Sequence, residues 1–215
     1  INVVHYGIAG VTVESTNDAG TAAALGNIDG IRVVNYFGGA VEITANNVAG
    51  SNDNGIEVDT DIAGTDISVS VSGDVLGGDT GIDIDNEGTG SAIVEASGET
   101  SFVRGLADTG IFVDNDNTTT YVSITSLGTT QGADYGIQVD SSGSGGVTID
   151  AANSTGTASV IGGIAGVFVE NTGGGSVDVA VDTASGTTGN GIYLSQNAPG
   201  TFIRVSATGD VPSDG

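Results

Sequence analysis

One short pattern recurs along the whole chain: a glycine, a β-branched residue, a spacer and a second apolar residue. It appears as Gly30-Ile31-Arg32-Val33, Gly55-Ile56-Glu57-Val58, Gly81-Ile82-Asp83-Ile84, Gly110-Ile111-Phe112-Val113, Gly136-Ile137-Gln138-Val139, Gly166-Val167-Phe168-Val169 and Gly191-Ile192-Tyr193-Leu194. A weaker copy begins at Gly7, and Gly215 stands where the next would start. From Gly7 to Gly215 the 208 residues divide into eight steps, 26 on average. A period of this length marks a solenoid, in which each unit buries its apolar face only against its neighbours.

Within a unit the apolar residues alternate with polar ones, which is the period of a half-buried strand. Gly55 to Thr80 reads as Ile56-Glu57-Val58-Asp59, a turn over Ile62-Ala63-Gly64, Ile67-Ser68-Val69-Ser70-Val71, a second turn at Ser72-Gly73-Asp74, then a brief Val75-Leu76. The middle strand recurs at Val11, Val41, Val122, Val147, Val177 and Ile203, and the third near Ile28, Val48, Val160 and Val211. Three short strands in about 26 residues make one rung of a parallel β-helix, whose inward residues stack about 4.8 Å apart between rungs. The expected fold is therefore all-β: a right-handed parallel β-helix of about eight rungs, the hand following the rule for parallel crossovers. Residues 1–215 form a single domain, and the chain, opening and closing in mid-repeat, reads as a segment of a longer secreted protein.

Composition agrees. Val, Ile, Thr and Ser suit a pleated surface, Lys is absent, and the nearest thing to a helical run is Ala22-Ala23-Ala24-Leu25. The 38 glycines come with only 2 prolines and no three-residue period, which excludes collagen. The net charge of −24, with 27 acids against Arg32, Arg104 and Arg204, repels nucleic acid and anionic headgroups. No run is long enough to insert directly into a membrane. The absence of Cys excludes disulfides, thiol nucleophiles and Cys-ligated metals.

Two columns of side chains stand out. Asp59, Asp85, Asp114, Asp140 and Glu170 occupy one repeat position on five consecutive rungs. Like charges at that spacing need relief, from solvent, turn amides, raised proton affinity or a cation. The plainest reading is a solvated, turn-capping row. Calcium, which takes carboxylates flexibly, is the cation the row would hold if it holds one; no cofactor is otherwise required. Asp114-Asn115-Asp116-Asn117 begins like a calcium-binding loop but lacks its glycine and closing glutamate. Beside the acids, a ladder of Asn35, Thr60, Asn86, Asn115, Ser141, Asn171 and Gln196 has a structural explanation in hydrogen bonds running up and down the rod.

Phe112, Phe168 and Tyr193 share the spacer position, which alternation points outward. They either stack on one another or offer a face to a sugar or a partner protein. Catalytic signals are few. His5, the single His, reads as a surface or edge residue, the three arginines lie far apart along the rod, and no Gly-x-Ser-x-Gly elbow occurs. Asn117-Thr118-Thr119 and Asn153-Ser154-Thr155 fit the glycosylation pattern, which a Thr-rich chain yields by chance.

The Gly-Ile-x-Val-Asp-Asn rungs, the turns Gly73-Asp74-Val75 and Gly209-Asp210-Val211, the lack of Cys and the acidic Ser/Thr/Gly/Asn-rich composition together resemble the passenger regions of bacterial autotransporters. The resemblance covers nearly the whole chain and is one of repeat style. It implies a β-helix secreted to the cell surface that serves in adhesion, aggregation or as a stalk, without catalysis. Its partners would be glycans or proteins of a host or neighbouring cell, or copies of itself. Self-assembly into an extracellular filament, end to end or bridged by calcium, and a polysaccharide-active β-helix enzyme are the two alternatives.

Overall fold

The computed structural model describes residues 1–61, 65–116, 120–198 and 201–211. The turn over Ile62–Gly64, the Asn117–Thr119 glycosylation pattern and Gly215 lie outside them. Among the described residues there is no helix, and the strands form three parallel sheets stacked as a β-solenoid of about eight turns. The first sheet holds Asn2–His5, Ile31–Asn35, Ile56–Thr60, Ile82–Asn86, Ile111–Asn115, Tyr135–Ser141, Ala165–Asn171 and Asn190–Gln196. The second holds Val11–Ser15, Val41–Ala45, Ile67–Val71, Ala92–Ala96, Tyr121–Ser126, Gly146–Ala151, Val177–Val181 and Ile203–Ala207. The third holds Ala23–Gly26, Asn47–Gly50, Val75–Gly77, Phe102–Gly105, Thr129–Gln131, Ser159–Gly162 and Thr183–Gly186.

The core is a set of aliphatic stacks. Ile31, Ile56, Ile82, Ile111, Ile137 and Val167 lie in register and fully buried on the first sheet, as do Val41, Ile67, Ala92, Val122, Val147 and Val177 on the second. The third sheet contributes one thin column, Ala24, Val48, Val75, Val103, Thr130, Val160 and Ala184.

That thinness explains the strands misplaced by pattern reading. In the first unit the third strand is Ala23–Gly26, overlapping the apparent helical run, and Ile28 lies beyond it, exposed. Val211 belongs to no strand, although it packs partly against the core. Thr129–Gln131 and Thr183–Gly186 carry only Thr130 and Ala184 inward, and Ala92–Ala96 turns Ile93 out and two alanines in. A rung interior this narrow needs little apolar volume at these corners, so periodicity in large side chains misses them.

The recurrent glycines have one shared reason, and it is not a left-handed backbone. Positive φ occurs at Gly20, Gly38, Gly39, Gly146 and Gly156, none of which belongs to the repeat. A Cβ on Gly55 would stand 2.5 Å from the Gly81 carbonyl oxygen, one on Gly81 2.5 Å from that of Gly110, and one on Gly110 2.5 Å from that of Gly136. From Gly30 to Gly166 each repeat glycine makes room for the backbone of the equivalent glycine one rung on.

The amide ladder lies inside the rod, as its spacing suggests. Asn35, Thr60, Asn86, Asn115 and Asn171 are fully buried. Thr60 donates to Asn86 Oδ1 at 3.0 Å and Asn86 Nδ2 to Asn115 Oδ1 at 2.8 Å, while Asn86 also donates to the Gly90 carbonyl at 2.7 Å. His5 lies half-buried on the edge strand of the sheet, in keeping with an edge residue, opposite Asn35 at the head of this column, where its Nε2 and Asn35 Oδ1 are buried without a hydrogen-bond partner. Buried polar groups of this kind are stable when they satisfy one another.

Candidate functional site

The outward face of the first sheet carries two in-register columns. The first runs Asn2, Arg32, Glu57, Asp83, Phe112, Gln138, Phe168, Tyr193. The second runs Val4, Val34, Asp59, Asp85, Asp114, Asp140, Glu170, Ser195. The expected acidic ladder is therefore real as an alignment: Asp59, Asp85, Asp114, Asp140 and Glu170 are consecutive partners. Alternation along each strand turns these side chains away from the aliphatic core.

Sequence reading missed the neighbouring column's share of the charge. Glu57 and Asp83 stand two residues upstream of Asp59 and Asp85 on the same face, so these two adjacent rungs carry carboxylates two abreast. Two shallow depressions follow from this. One of about 200 Å³ is lined by Glu57, Val58, Asp59, Asp83, Asp85, Phe112 and Asp114; the other, of about 210 Å³, by Asp114, Asp116, Asp140, Ser141, Ser142, Glu170 and Thr172.

Crowding shows in the acidities. Burial, with the charges of Glu57 and Asp85 beside it, pushes Asp83 up to about 7, against a hydrogen bond from Asn54 Nδ2 at 3.1 Å. Burial and the charges of Asp61 and Asp85 raise Asp59 to about 6. Asp114 reaches about 6 through burial and the charges of Asp116, Asp85 and Asp140, and Asp85 is raised by burial and by Asp116 and Asp61. The local cation is Arg32, whose Nε donates to Glu57 Oε2 at 2.8 Å. Relief thus comes in part from protons held at neutral pH. Among the described residues no three His, Cys, Asp or Glu side chains are grouped to hold a metal ion. The partial calcium-loop pattern ends at Asn117, outside the described residues.

The aromatic residues divide. Phe168 and Tyr193 stack with ring centroids 5.0 Å apart and planes 9° from parallel. Tyr135, not singled out by the repeat because it precedes Gly136, closes on Phe168 at 5.1 Å. Phe112 is separated from them by Gln138 and sits in the acidic depression instead. Much of the ring surface expected to face a ligand is taken up by the other rings, though Tyr193 stays 43% exposed.

Other acids are structural. Asp182, fully buried, accepts the Asn153 and Ala158 N–H groups at 2.9 and 3.1 Å and the Thr208 hydroxyl at 2.7 Å. Burial opposes its charge, but the three donors outweigh it and hold the carboxyl below the usual range. Asp66 and Asp74 likewise accept backbone N–H groups of Ser91 and Phe102 in the next rung. No family model, curated protein or solved structure matches the chain.

Proposed function

We propose that the chain is a structural and adhesive rod of a cell surface, carried outside the cell, that meets glycans or proteins of neighbouring surfaces through the outward face of its first sheet. The single observation carrying this reading is the arrangement of that face: carboxylates two abreast on two adjacent rungs, then a single acidic column running on beside the Tyr135–Phe168–Tyr193 cluster, with shallow depressions of about 200 Å³. An extended, repetitive, open face suits contact with another surface, where many modest interactions add. The repeat style shared with autotransporter passengers supports the same placement.

The test is an array of surface glycans and matrix proteins probed with the intact chain and with a Phe168→Ala/Tyr193→Ala variant. Binding that falls in the variant supports the reading, and binding unaffected by it removes the first sheet from the function.

A second reading, a polysaccharide-active enzyme, is favoured by one observation: Asp83, raised to about 7 in a depression beside other carboxylates and Phe112, has the proton affinity of a general acid. Release of reducing sugar from any array glycan, abolished by Asp83→Asn, would decide for it.

A further inference from the structure

Charge is not spread evenly around the rod. The first sheet carries Glu57, Asp59, Asp83, Asp85, Asp114, Asp140 and Glu170, and the second Glu14, Glu42, Glu95, Asp150 and Asp178. None of the seven strands of the third sheet contains an acid. In a chain of net charge −24 these strands form an acid-free strip, bordered by the Asp29, Asp53, Asp79, Asp108 and Asp134 that stand in the turns after its first five strands.

At the middle of the strip stands Arg104, on the fourth of its seven strands. Arg32 is bound to Glu57 and Arg204 to Asp178, whereas among the described residues Arg104 has no carboxylate partner. Asp74, which precedes the neighbouring strand, accepts the Phe102 N–H at 3.1 Å. Arg104 borders a depression of about 250 Å³ with Phe102, Thr129 and Gln131. Along the strip the outward neighbours of Arg104 are Leu76 and Gln131, with Leu25 exposed at one end.

We propose that this strip binds a glycan chain that is neutral apart from one carboxylated sugar, with the carboxylate on Arg104. Three features select that ligand. A guanidinium lacking an internal acid offers a fork matched to an incoming carboxylate. The flanking Thr129 and Gln131 can hydrogen-bond hydroxyls, while Phe102 and Leu76 take the apolar faces of sugar rings. One arginine allows one carboxylate, and a second would meet the uncharged side chains of the strip or the aspartates that border it. Size argues against a second copy of the rod as the occupant. Seven strands at about 4.8 Å and a width of three or four residues give about 330–440 Å² per partner, against about 800 Å² in a standard interface. An extended sugar chain needs no more than the strip provides. This inference rests on the third sheet and stands or falls separately from the first-sheet reading.

The chain has three arginines, so its Arg Nε–H signals are few enough to follow individually by NMR. Titrations with 3′-sialyllactose and with a glucuronate-terminated oligosaccharide are compared with lactose and the matching neutral oligosaccharide, which also tells sialate from uronate. The expected result is movement of the Arg104 signal and binding about tenfold tighter for at least one acidic sugar than for its neutral parent. Arg104→Gln should bring the two to equal, weak binding, and Arg104→Lys should restore part of the difference. Arg104 is exposed, so its variants should keep the melting temperature of the parent. A stationary Arg104 signal with both acidic sugars, equal binding of acidic and neutral sugars, or concentration-dependent dimerisation that buries Phe102 would each overturn the proposal.

Discussion

Asp83 makes the rod less stable as pH rises. Its carboxyl is carried from the ordinary 3.8 to about 7 by burial and the facing carboxylates. At about 1.4 kcal/mol for each tenfold change in proton affinity, the full difference between the two charge states is about 4 kcal/mol. Partial solvation of its neighbours reduces this to about 2–4 kcal/mol. The sign follows from proton counting. Between about pH 4 and pH 7 the folded chain keeps a proton that the unfolded chain has released, so stability is complete below the unfolded value and declines as pH climbs through the folded one. Asp59 and Asp114, raised to about 6, add to the same slope. Urea unfolding at several values between about pH 4.5 and pH 8.5 should give a falling midpoint, and Asp83→Asn should flatten the curve and raise the midpoint at the alkaline end. Carboxyl carbon NMR reads the cause directly, as a titration of Asp83 centred near pH 7. A midpoint below about pH 5, or an unchanged slope in Asp83→Asn, would refute the electrostatic account of the first-sheet face.

Three further outcomes are expected. Gly81→Ala should cost about 2–3 kcal/mol or more, since its Cβ would collide with the Gly110 carbonyl, while Gly174→Ala, whose Cβ would meet Ser144 at an ordinary 3.8 Å, should stay within about 0.5 kcal/mol; paired thermal melts decide. Asn86→Ala should cost about 2–4 kcal/mol by stranding buried partners, and a double-mutant cycle with Asn115→Ala should return a coupling above about 0.5 kcal/mol. Asp182→Ala should cost about 2–3 kcal/mol at neutral pH, because the buried Ala158 N–H and the half-buried Asn153 N–H lose their acceptor. That deficit should shrink in acid: a carboxyl held below its usual range contributes above its unfolded value and ceases to contribute as pH falls through the folded one.

Most of the rod is legible in the chain because its constraints are local and repeated. The glycine in each Gly-Ile-x-Val copy, the alternation after it and the polar residue closing the strand recur often enough to set the period, the parallel architecture and the neighbours Asp59, Asp85, Asp114, Asp140 and Glu170. Strands with a single small inward residue, such as Thr183–Gly186, are not legible, since one alanine carries no pattern. The role of the glycines is read only in part. Sequence offers a turn conformation or a close approach, and the stacked carbonyls choose the second.

The periodic sequence by itself determined which residues share a column, because a one-rung step maps each position onto its equivalent. Tertiary structure alone decided what the columns do to one another. It set Asp83 against Glu57 and Asp85, stacked Phe168 on Tyr193, and left Arg104, on the acid-free strands, with no carboxylate partner among the described residues. Those outcomes depend on distances and solvent access between rungs and between adjacent columns. Spacing along one dimension cannot contain them, because electrostatic and packing energies act through space.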